Sequence, residues 1–331
     1  MENTVVSSQQ NDDFASLRGT DLLELLAEIE NYFLEYRESL NLPRDLTFGV
    51  ELEYEGLPKV IMKSIINKQL SSWKITKDGS LEFGEEIISP VMTDDIKYWR
   101  QLEFVCTNLT KWKANTSKNA GGHVHIGAAI LGEDIEAWRS FLKLYIAYEN
   151  VLFRFAYGDK TNGRRKLAKY APPIADRIYP QLSTINKADS IWDLYPIIGE
   201  TSKYAALNFW NFDYNNPTDR QSKNTLEFRM PNATSNAVIW QNNINAFAKM
   251  LTSAKDKVID EDFLDYKLRS EYYPYAGYEY MYNSVNLKNV LEFVDLVFDN
   301  NQDKSYFLRQ YLKGFQESSM GIAKPAKKFI K

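Results

Sequence analysis

Cysteine and histidine are scarce in this chain of 331 residues, which has one cysteine and two histidines. The lone Cys106 excludes an internal disulfide, and its amphipathic surroundings indicate a packed residue rather than a nucleophile. Two imidazoles are too few for a zinc hydrolase site that needs further histidine ligands. Carboxylates, in contrast, are abundant, with 44 Asp and Glu residues in total.

Signals for membrane, nucleic-acid and dinucleotide binding are also missing. No apolar run approaches the roughly 20 residues that span a bilayer, and residues 1–13 lack the basic and then apolar pattern of a signal peptide. The net charge of −4 provides no basic field for a nucleic acid or an anionic membrane. Walker A and GxGxxG sequences are absent, which argues against P-loop, kinase and dinucleotide-binding folds. We expect a cytoplasmic protein without nucleic-acid or membrane partners.

The periodicity of apolar residues predicts a mixture of helices and strands. Helices are predicted at 13–40, 60–70, 94–112, 133–157, 239–260, 287–298 and 305–315. Strands are predicted at 46–55, 73–76, 86–89, 204–212 and 224–230, and around the two histidines. Residues 158–185 are rich in glycine and proline and are predicted to form a long loop, which carries the basic residues Arg164, Arg165 and Lys169.

Both histidines lie in one predicted strand of alternating character. Side chains alternate between the two faces of a strand, so His123 and His125 point one way and Val124 the other. Glycines precede this strand, and glycine in a strand can mark close approach of a ligand to the backbone.

Three further segments share this design. Glu51 and Glu53 alternate with apolar residues, as do Glu227 and Arg229, and a segment that starts at Asp78 leads through a glycine into a strand at Glu86. Each pattern alone is also typical of a solvated edge or a surface ion pair. Four of them in one chain favour a common site.

Charged side chains that converge in a fold must be paired or bound to metal, because burying isolated charges is costly. Several carboxylates with one or two imidazoles suit Mg²⁺ or Mn²⁺, which prefer oxygen ligands. An arginine and a basic loop beside such a site are typical of phosphoryl transfer from a nucleotide. The pattern therefore predicts a divalent-metal site that handles phosphate.

Six segments in this order resemble the amidoligase family of carboxylate–amine ligases, which is related to glutamine synthetase and glutamate–cysteine ligase. They are residues 48–55, 78–80, 86–90, 122–127, 203–208 and 225–234. The resemblance covers residues 46–250. The chain departs from the family pattern in having Gly121 where many members have cysteine, and in lacking the glycine that commonly precedes Thr234.

The resemblance implies an α+β fold with a glutamine synthetase-like catalytic domain. In that fold a curved, mainly antiparallel sheet is lined with metal-binding carboxylates and flanked by helices. We expect a disordered tail at residues 1–12, an N-terminal helical segment at 13–45, a catalytic domain at 46–260 and a C-terminal helical extension at 261–331 that packs on the same domain.

The resemblance also implies roles for individual residues. The expected ligands of the metal ions are Glu51, Glu53, Glu86, His123 and Glu227, with Glu53 also counted among the catalytic residues. Arg229 matches the arginine that contacts the nucleotide and steadies the transferring phosphoryl group. Asp78 is expected near the amine or the metal, where it would deprotonate the amine. The expected nucleotide or substrate contacts are His125, Arg164, Arg165, Lys169 and Asn208.

The implied activity is that of an ATP-dependent carboxylate–amine ligase. A carboxylate would be activated by ATP as an acyl phosphate, and an amine would then displace the phosphate, with Mg²⁺ or Mn²⁺ as the metal cofactor. Two alternatives remain at this stage: a kinase on the same fold, and a non-catalytic protein that binds a nucleotide or another effector. The sequence does not identify the carboxylate or the amine.

Overall fold

A computed structural model describes residues 10–116, 119–157, 167–199, 201–220, 223–256, 259–272 and 284–312. Within these residues the fold is α+β, as predicted, and is built around one open antiparallel sheet of six strands. Arg164 and Arg165, two of the predicted site residues, lie outside the described residues. In the part of the chain that is described, no helix is both long and apolar enough to cross a membrane.

The sheet places the polar strands next to one another. Its strands are β1 (Phe48–Glu55), β2 (Lys74–Thr76), β3 (Gly84–Ile88), β4 (Gly122–Gly127), β5 (Leu207–Asn208) and β6 (Thr225–Phe228). Their order is β2-β3-β1-β4-β6-β5, so β1 and β4 lie at the centre. All pairs are antiparallel, and the strands that carry the predicted ligands are direct neighbours.

The described residues also form twelve α-helices. They are α1 (Gly19–Asn31), α2 (Lys59–Gln69), α3 (Ile96–Lys111), α4 (Ile135–Ala156), α5 (Leu167–Tyr170), α6 (Ala175–Ile178), α7 (Leu182–Lys187), α8 (Ile191–Ile198), α9 (Ala237–Lys255), α10 (Glu261–Ser270), α11 (Ser284–Val297) and α12 (Asn301–Leu312). The two long helices α4 and α9 pack against each other and are buried along most of their length.

One face of the sheet is apolar and packs on helices. Leu52 of β1 and Val124 of β4 are fully buried, as the alternation predicts. Phe228 of β6 stacks on Phe247 of α9 with ring centroids 4.1 Å apart. Burying an aliphatic or aromatic side chain of this size contributes about 1.5–3 kcal/mol. This apolar face therefore anchors the sheet and leaves the opposite face for polar groups.

The long N-terminal helix predicted for residues 13–40 is wrong in extent. Helix α1 begins at Gly19 and ends at Asn31. Beyond it the backbone amide of Glu35 donates to the hydroxyl of Tyr306, and that of Arg37 donates to the side chain of Gln241. Because these tertiary hydrogen bonds satisfy the backbone, residues 32–40 follow the surface of other helices instead of continuing α1.

Two predictions near the site also need correction. The strand predicted at 204–212 is reduced to β5, because the side chain of Asn208 donates to the carbonyl of Lys203 and accepts from the amide of Trp210. Such local side-chain bonds compete with a sheet ladder. The loop predicted at 158–185 is, in its described part, largely made of α5, α6 and α7 with a short 3₁₀ turn.

Candidate functional site

The polar face of the sheet brings both histidines against the first predicted glutamate. Glu51 pairs with His123 in the register of β1 and β4. The Nδ1 atom of His123 lies 2.9 Å from Oε2 of Glu51, and the Nε2 atom of His125 lies 3.1 Å from its Oε1. Residues paired directly across antiparallel strands share a face. One carboxylate therefore bridges two imidazoles.

Strand β3 adds a second group of acids on the same face. Glu53 pairs with Glu86 across β1 and β3, and both side chains are buried. The hydroxyl of Thr76 donates to Glu86 at 3.2 Å, and the amide of Gly121 donates to Glu53. Asp78 joins them from the loop before β3. These hydrogen bonds orient the carboxylates toward one another.

Strand β6 completes the face with a glutamate and an arginine. Glu227 is buried and accepts a hydrogen bond from the amide of Asn208 at 2.7 Å. The guanidinium of Arg229 pairs with Glu227, and its Nη1 lies 3.4 Å from Nδ1 of His123. Its Nε donates to the carbonyl of Tyr170 at 3.2 Å. The arginine is thus held at the edge of the carboxylate cluster.

Three overlapping groups on this face have the composition of a divalent-cation site. In each group the ligand atoms lie within 4.8 Å of one another. These three groups, called the metal-capable groups below, are Glu51, Glu86 and His123; Glu51, His125 and Glu227; and Glu53, Asp78 and Glu86. Oxygen-rich sets of this kind suit Mg²⁺ or Mn²⁺ better than zinc.

The Nε2 atom of His123 is also placed where it could bind a metal ion. Its Nε2 atom is buried, lies 3.8 Å from Glu53 and has no hydrogen-bond partner among the described residues. Buried polar atoms normally have a hydrogen-bond partner, and one without a protein partner is typically bound to an ion or a water molecule. The donor set and the orphaned nitrogen together are compatible with a bound divalent cation.

The acid–base properties of Glu86 follow from its position in the cluster. Burial raises its pKa to about 8, and the neighbouring charges of Glu51, Glu53 and Asp78 add to this shift. Without a cation, the carboxyl group is therefore mostly protonated at neutral pH. A divalent cation would reverse this balance by favouring the carboxylate.

The pKa values of Glu51 and His125 both shift in the direction that favours the charged form of the side chain. Burial works to raise the pKa of Glu51, but hydrogen bonds from His123 and His125 outweigh it and hold the pKa below its ordinary range. Burial works to lower the pKa of His125, yet the hydrogen bond to Glu51 and the charge of Glu227 raise it. Each group therefore favours the charged form of the other in the metal-free protein.

Two cavities open on this face and meet at the metal-capable groups. The larger has a volume of about 540 Å³, and its polar and aromatic walls include Asp78, Arg229 and Tyr204. The smaller has a volume of about 210 Å³, and its lining includes Gly49, Val91 and Lys223. Both cavities are lined by Glu51, His125 and Asn211.

Gly122 has a different role from the one that its position suggested. A Cβ atom at this residue would lie 2.6 Å from the indole of Trp240 and 3.0 Å from the carbonyl of Asn232. The space beside the strand is therefore filled by α9 from the apolar side, and the expectation that glycine admits a ligand here is wrong. The glycine instead lets helix and strand approach beneath His123.

The described residues include most of the predicted site. The structure brings Glu51, Glu53, Asp78, Glu86, His123, His125, Asn208, Glu227 and Arg229 together on one face. Lys169 is exposed, and its ammonium lies over the ring of Tyr170, 5.0 Å from the centroid. Asn208 lines the larger cavity, but both polar atoms of its amide already have protein partners.

Several cavity-lining residues were not predicted as site residues from the sequence, among them Asn119, Tyr170, Trp210 and Asn211. Asn119 donates to the buried Glu55, and Tyr170 and Trp210 form part of the wall of the larger cavity. They lie in loops or at helix ends without periodicity, so no sequence pattern marks them.

No curated protein matches the chain. Residues 59–251, more than half of the chain, match the profile of a family described as "Putative amidoligase enzyme". The match includes β3, β4 and β6 but begins after β1, which carries Glu51 and Glu53. This family suggests a carboxylate–amine ligase, and the chain belongs to it.

Proposed function

We propose that the protein is an ATP-dependent carboxylate–amine ligase with a glutamine synthetase-like active site. The observation that carries the proposal is the convergence of five carboxylates, two imidazoles and one guanidinium on one face of the sheet: Glu51, Glu53, Asp78, Glu86, Glu227, His123, His125 and Arg229. The family membership supports the ligase chemistry. Both features fit a reaction in which the γ-phosphoryl group of ATP is transferred to a carboxylate.

The smaller cavity suits the nucleoside part of ATP. Its floor is the backbone at Gly49, and its walls include the apolar Ile88 and Val91. Lys223 and Arg220 also line it and supply positive charge, with Arg220 paired to Asp45 at 2.7 Å. A nucleobase bound in this cavity would place the phosphates of ATP near Glu51 and the metal-capable groups.

The larger cavity suits the carboxylate and the amine because its lining carries charges of both signs. Glu53 and Asp78 supply negative charge, and Lys203 and Arg229 supply positive charge. An ammonium group is favoured beside the acids, and a carboxylate is favoured beside the cations. Asp78 is placed in this proposal as the group that accepts the proton from the amine.

The reaction would proceed in two displacements. An oxygen of the substrate carboxylate attacks the γ-phosphorus of ATP, the bond to the β-phosphate oxygen breaks, and ADP leaves. The amine nitrogen then attacks the acyl carbon, the carbon–oxygen bond to the phosphate breaks, and the amine proton goes to Asp78. Arg229 stabilises the charge on the transferring phosphoryl group.

Divalent cations held by Glu51, Glu53, Glu86, His123 and Glu227 would supply charge neutralisation at the phosphate oxygens. The side chains contribute the fixed geometry of that site. Asn208 and Thr76 hold the Glu227 and Glu86 carboxylates by hydrogen bonds. Catalysis in this proposal rests on positioning and electrostatics rather than on a protein nucleophile.

The proposal is tested by ADP release from Mg²⁺·ATP with a panel of amino acids and peptides as carboxylates and amines. We expect release that needs both a carboxylate and an amine. Release with a carboxylate or guanidino compound alone would indicate a kinase, and binding of ATP without release would indicate a nucleotide-binding protein.

Arg229→Ala separates transition-state stabilisation from binding. We expect kcat to fall by about 10²-fold or more while the Kd of Mg²⁺·ATP changes little, because the guanidinium acts on developing charge. Equal losses in both quantities would make Arg229 a ground-state contact.

A further inference from the structure

Glu149 is a carboxylate buried in α4, outside the strands that carry the candidate metal ligands. Its side chain is 2% exposed. It accepts hydrogen bonds from the hydroxyl of Tyr145 at 2.9 Å and from the backbone amides of Ile174 at 2.8 Å and Ala175 at 3.0 Å. Burial raises its pKa to about 7. Two of its three hydrogen bonds thus hold the backbone of a different segment.

That segment, residues 170–175, is here called the strap. It contains Pro172 and Pro173 in succession. Each proline ring fixes φ at about −65°, which removes most of the backbone freedom between the two ends. Holding the strap at residues 174 and 175 therefore also limits where residue 170 lies.

The other end of the strap holds Arg229. The carbonyl of Tyr170 accepts from the guanidinium Nε at 3.2 Å. The carbonyl of Pro172 accepts from the amide of Ala206 at 2.9 Å, and the carbonyl of Ala206 accepts from the amide of Arg229 at 2.8 Å. Both the backbone and the side chain of Arg229 are therefore tied to the strap.

We propose that Glu149 is a positioning residue for Arg229 and acts through the strap. The buried carboxylate fixes residues 174 and 175, the two prolines transmit that constraint, and Tyr170 directs the guanidinium toward Glu227. The inference rests on the proposed role of Arg229 in phosphoryl transfer, but the mechanical link can be measured without any substrate.

Glu149→Gln tests the link with little change in shape. The glutamine carbonyl can accept one strap amide, but its NH₂ group cannot accept the second. Tyr145→Phe is the matched control, because it removes the third donor from the same carboxylate and leaves both strap amides bound. Pro173→Ala loosens the strap without touching the carboxylate and serves if the glutamine variant fails to fold.

The first readout is backbone hydrogen exchange in the metal-free, full-length protein. In Glu149→Gln and Pro173→Ala we expect exchange to be faster by about tenfold at Ala206 and Arg229 as well as within the strap. Tyr145→Phe should leave Ala206 and Arg229 unchanged. Faster exchange confined to Ile174 and Ala175, or no change at all, would overturn the proposal.

The second readout is the rate of ADP release. Glu149→Gln should lower kcat by about 10- to 100-fold with an unchanged Kd for Mg²⁺·ATP, as expected for a displaced catalytic group. In an Arg229→Ala background it should cause no further loss, because both variants remove the same function. Equal losses in both backgrounds would assign Glu149 to stability alone. If the wild type released no ADP, the proposed function would be refuted. Hydrogen exchange would still show whether Glu149 positions Arg229 through the strap.

Discussion

The carboxyl group of Glu86 is buried close to other negative charges. Its ionisation should therefore destabilise the metal-free fold, although the same ionisation is needed to bind a metal ion. Its pKa of about 8 in the metal-free fold exceeds its ordinary value of 4.5. A raised pKa in the folded state means that the contribution to stability is complete below pH 4.5 and is lost as the pH rises through about 8.

Glu86→Gln should therefore remove this loss of stability at high pH. We expect the metal-free variant to be at least as stable as the wild type at pH 9, and its affinity for Mg²⁺ to fall by about tenfold or more. Urea unfolding and calorimetric titration measure the two quantities. Glu85→Gln is the control, because Glu85 lies on the other face and pairs only with the half-exposed Lys59 among the described residues. If Glu86→Gln were less stable than the wild type at pH 9, the ionised Glu86 could not be destabilising the metal-free fold.

The same pKa predicts a proton-linked metal affinity. Mg²⁺ requires the carboxylate form of Glu86, so binding below pH 8 must displace its proton. We expect the affinity for Mg²⁺ to rise between pH 6 and about 8.5, with proton release measurable in buffers of different ionisation enthalpy. The Glu86→Gln variant should lack this proton release. A pH-independent affinity in the wild type would show that Glu86 does not bind the metal.

At the scale of elements, Gly122 sets the contact between β4 and α9. An alanine Cβ there would clash with Trp240, so the strand or the helix must shift. We expect Gly122→Ala to lower the free energy of unfolding by about 1–3 kcal/mol, as overpacking does in cores. The displacement should also weaken Mg²⁺ binding, because His123 is the next residue.

Gly79→Ala is the matched control for this variant. A Cβ at Gly79 would meet nothing within 4 Å, so the free energy of unfolding should change by less than about 1 kcal/mol. Urea titrations of both variants check the comparison. Equal stabilities would mean that the close approach of Trp240 does not constrain the strand.

The strands that carry the site could be predicted because alternation is a local property. Glu51, His123 and Glu227 each sit between apolar neighbours, so their common face follows once β1, β4 and β6 are adjacent. The family resemblance implied a shared, mainly antiparallel sheet, but the order of its strands is seen only in the structure. Periodicity alone does not determine which strands pair.

Other features depend on contacts that no local pattern encodes. The end of α1 at Asn31 is determined by hydrogen bonds to Tyr306 and Gln241, which are distant in sequence. The short β5 depends on how the Asn208 side chain competes with the ladder. The position of the strap depends on Glu149, a residue that looks like any other polar position on an amphipathic helix.

At the scale of the whole molecule, the sheet lies between the hydrophobic core and the candidate functional site. Helices α4 and α9 and the apolar face form one side, and two cavities that share Glu51 and His125 form the other. This arrangement would let a nucleotide approach from one cavity and the substrates from the other, with the metal-capable groups between them.

The proposed nucleotide–metal site is tested most directly by the thermal stability of the wild type and of Glu53→Gln, with and without Mg²⁺·ATP. A ligand at 100 times its Kd stabilises the fold by about 2.7 kcal/mol. We predict a magnesium-dependent rise in Tm for the wild type, its loss in Glu53→Gln, and its retention in the control Glu82→Gln, whose side chain is exposed. A rise of the same size in all three proteins, or none in the wild type, would contradict a nucleotide–metal site on this face of the sheet.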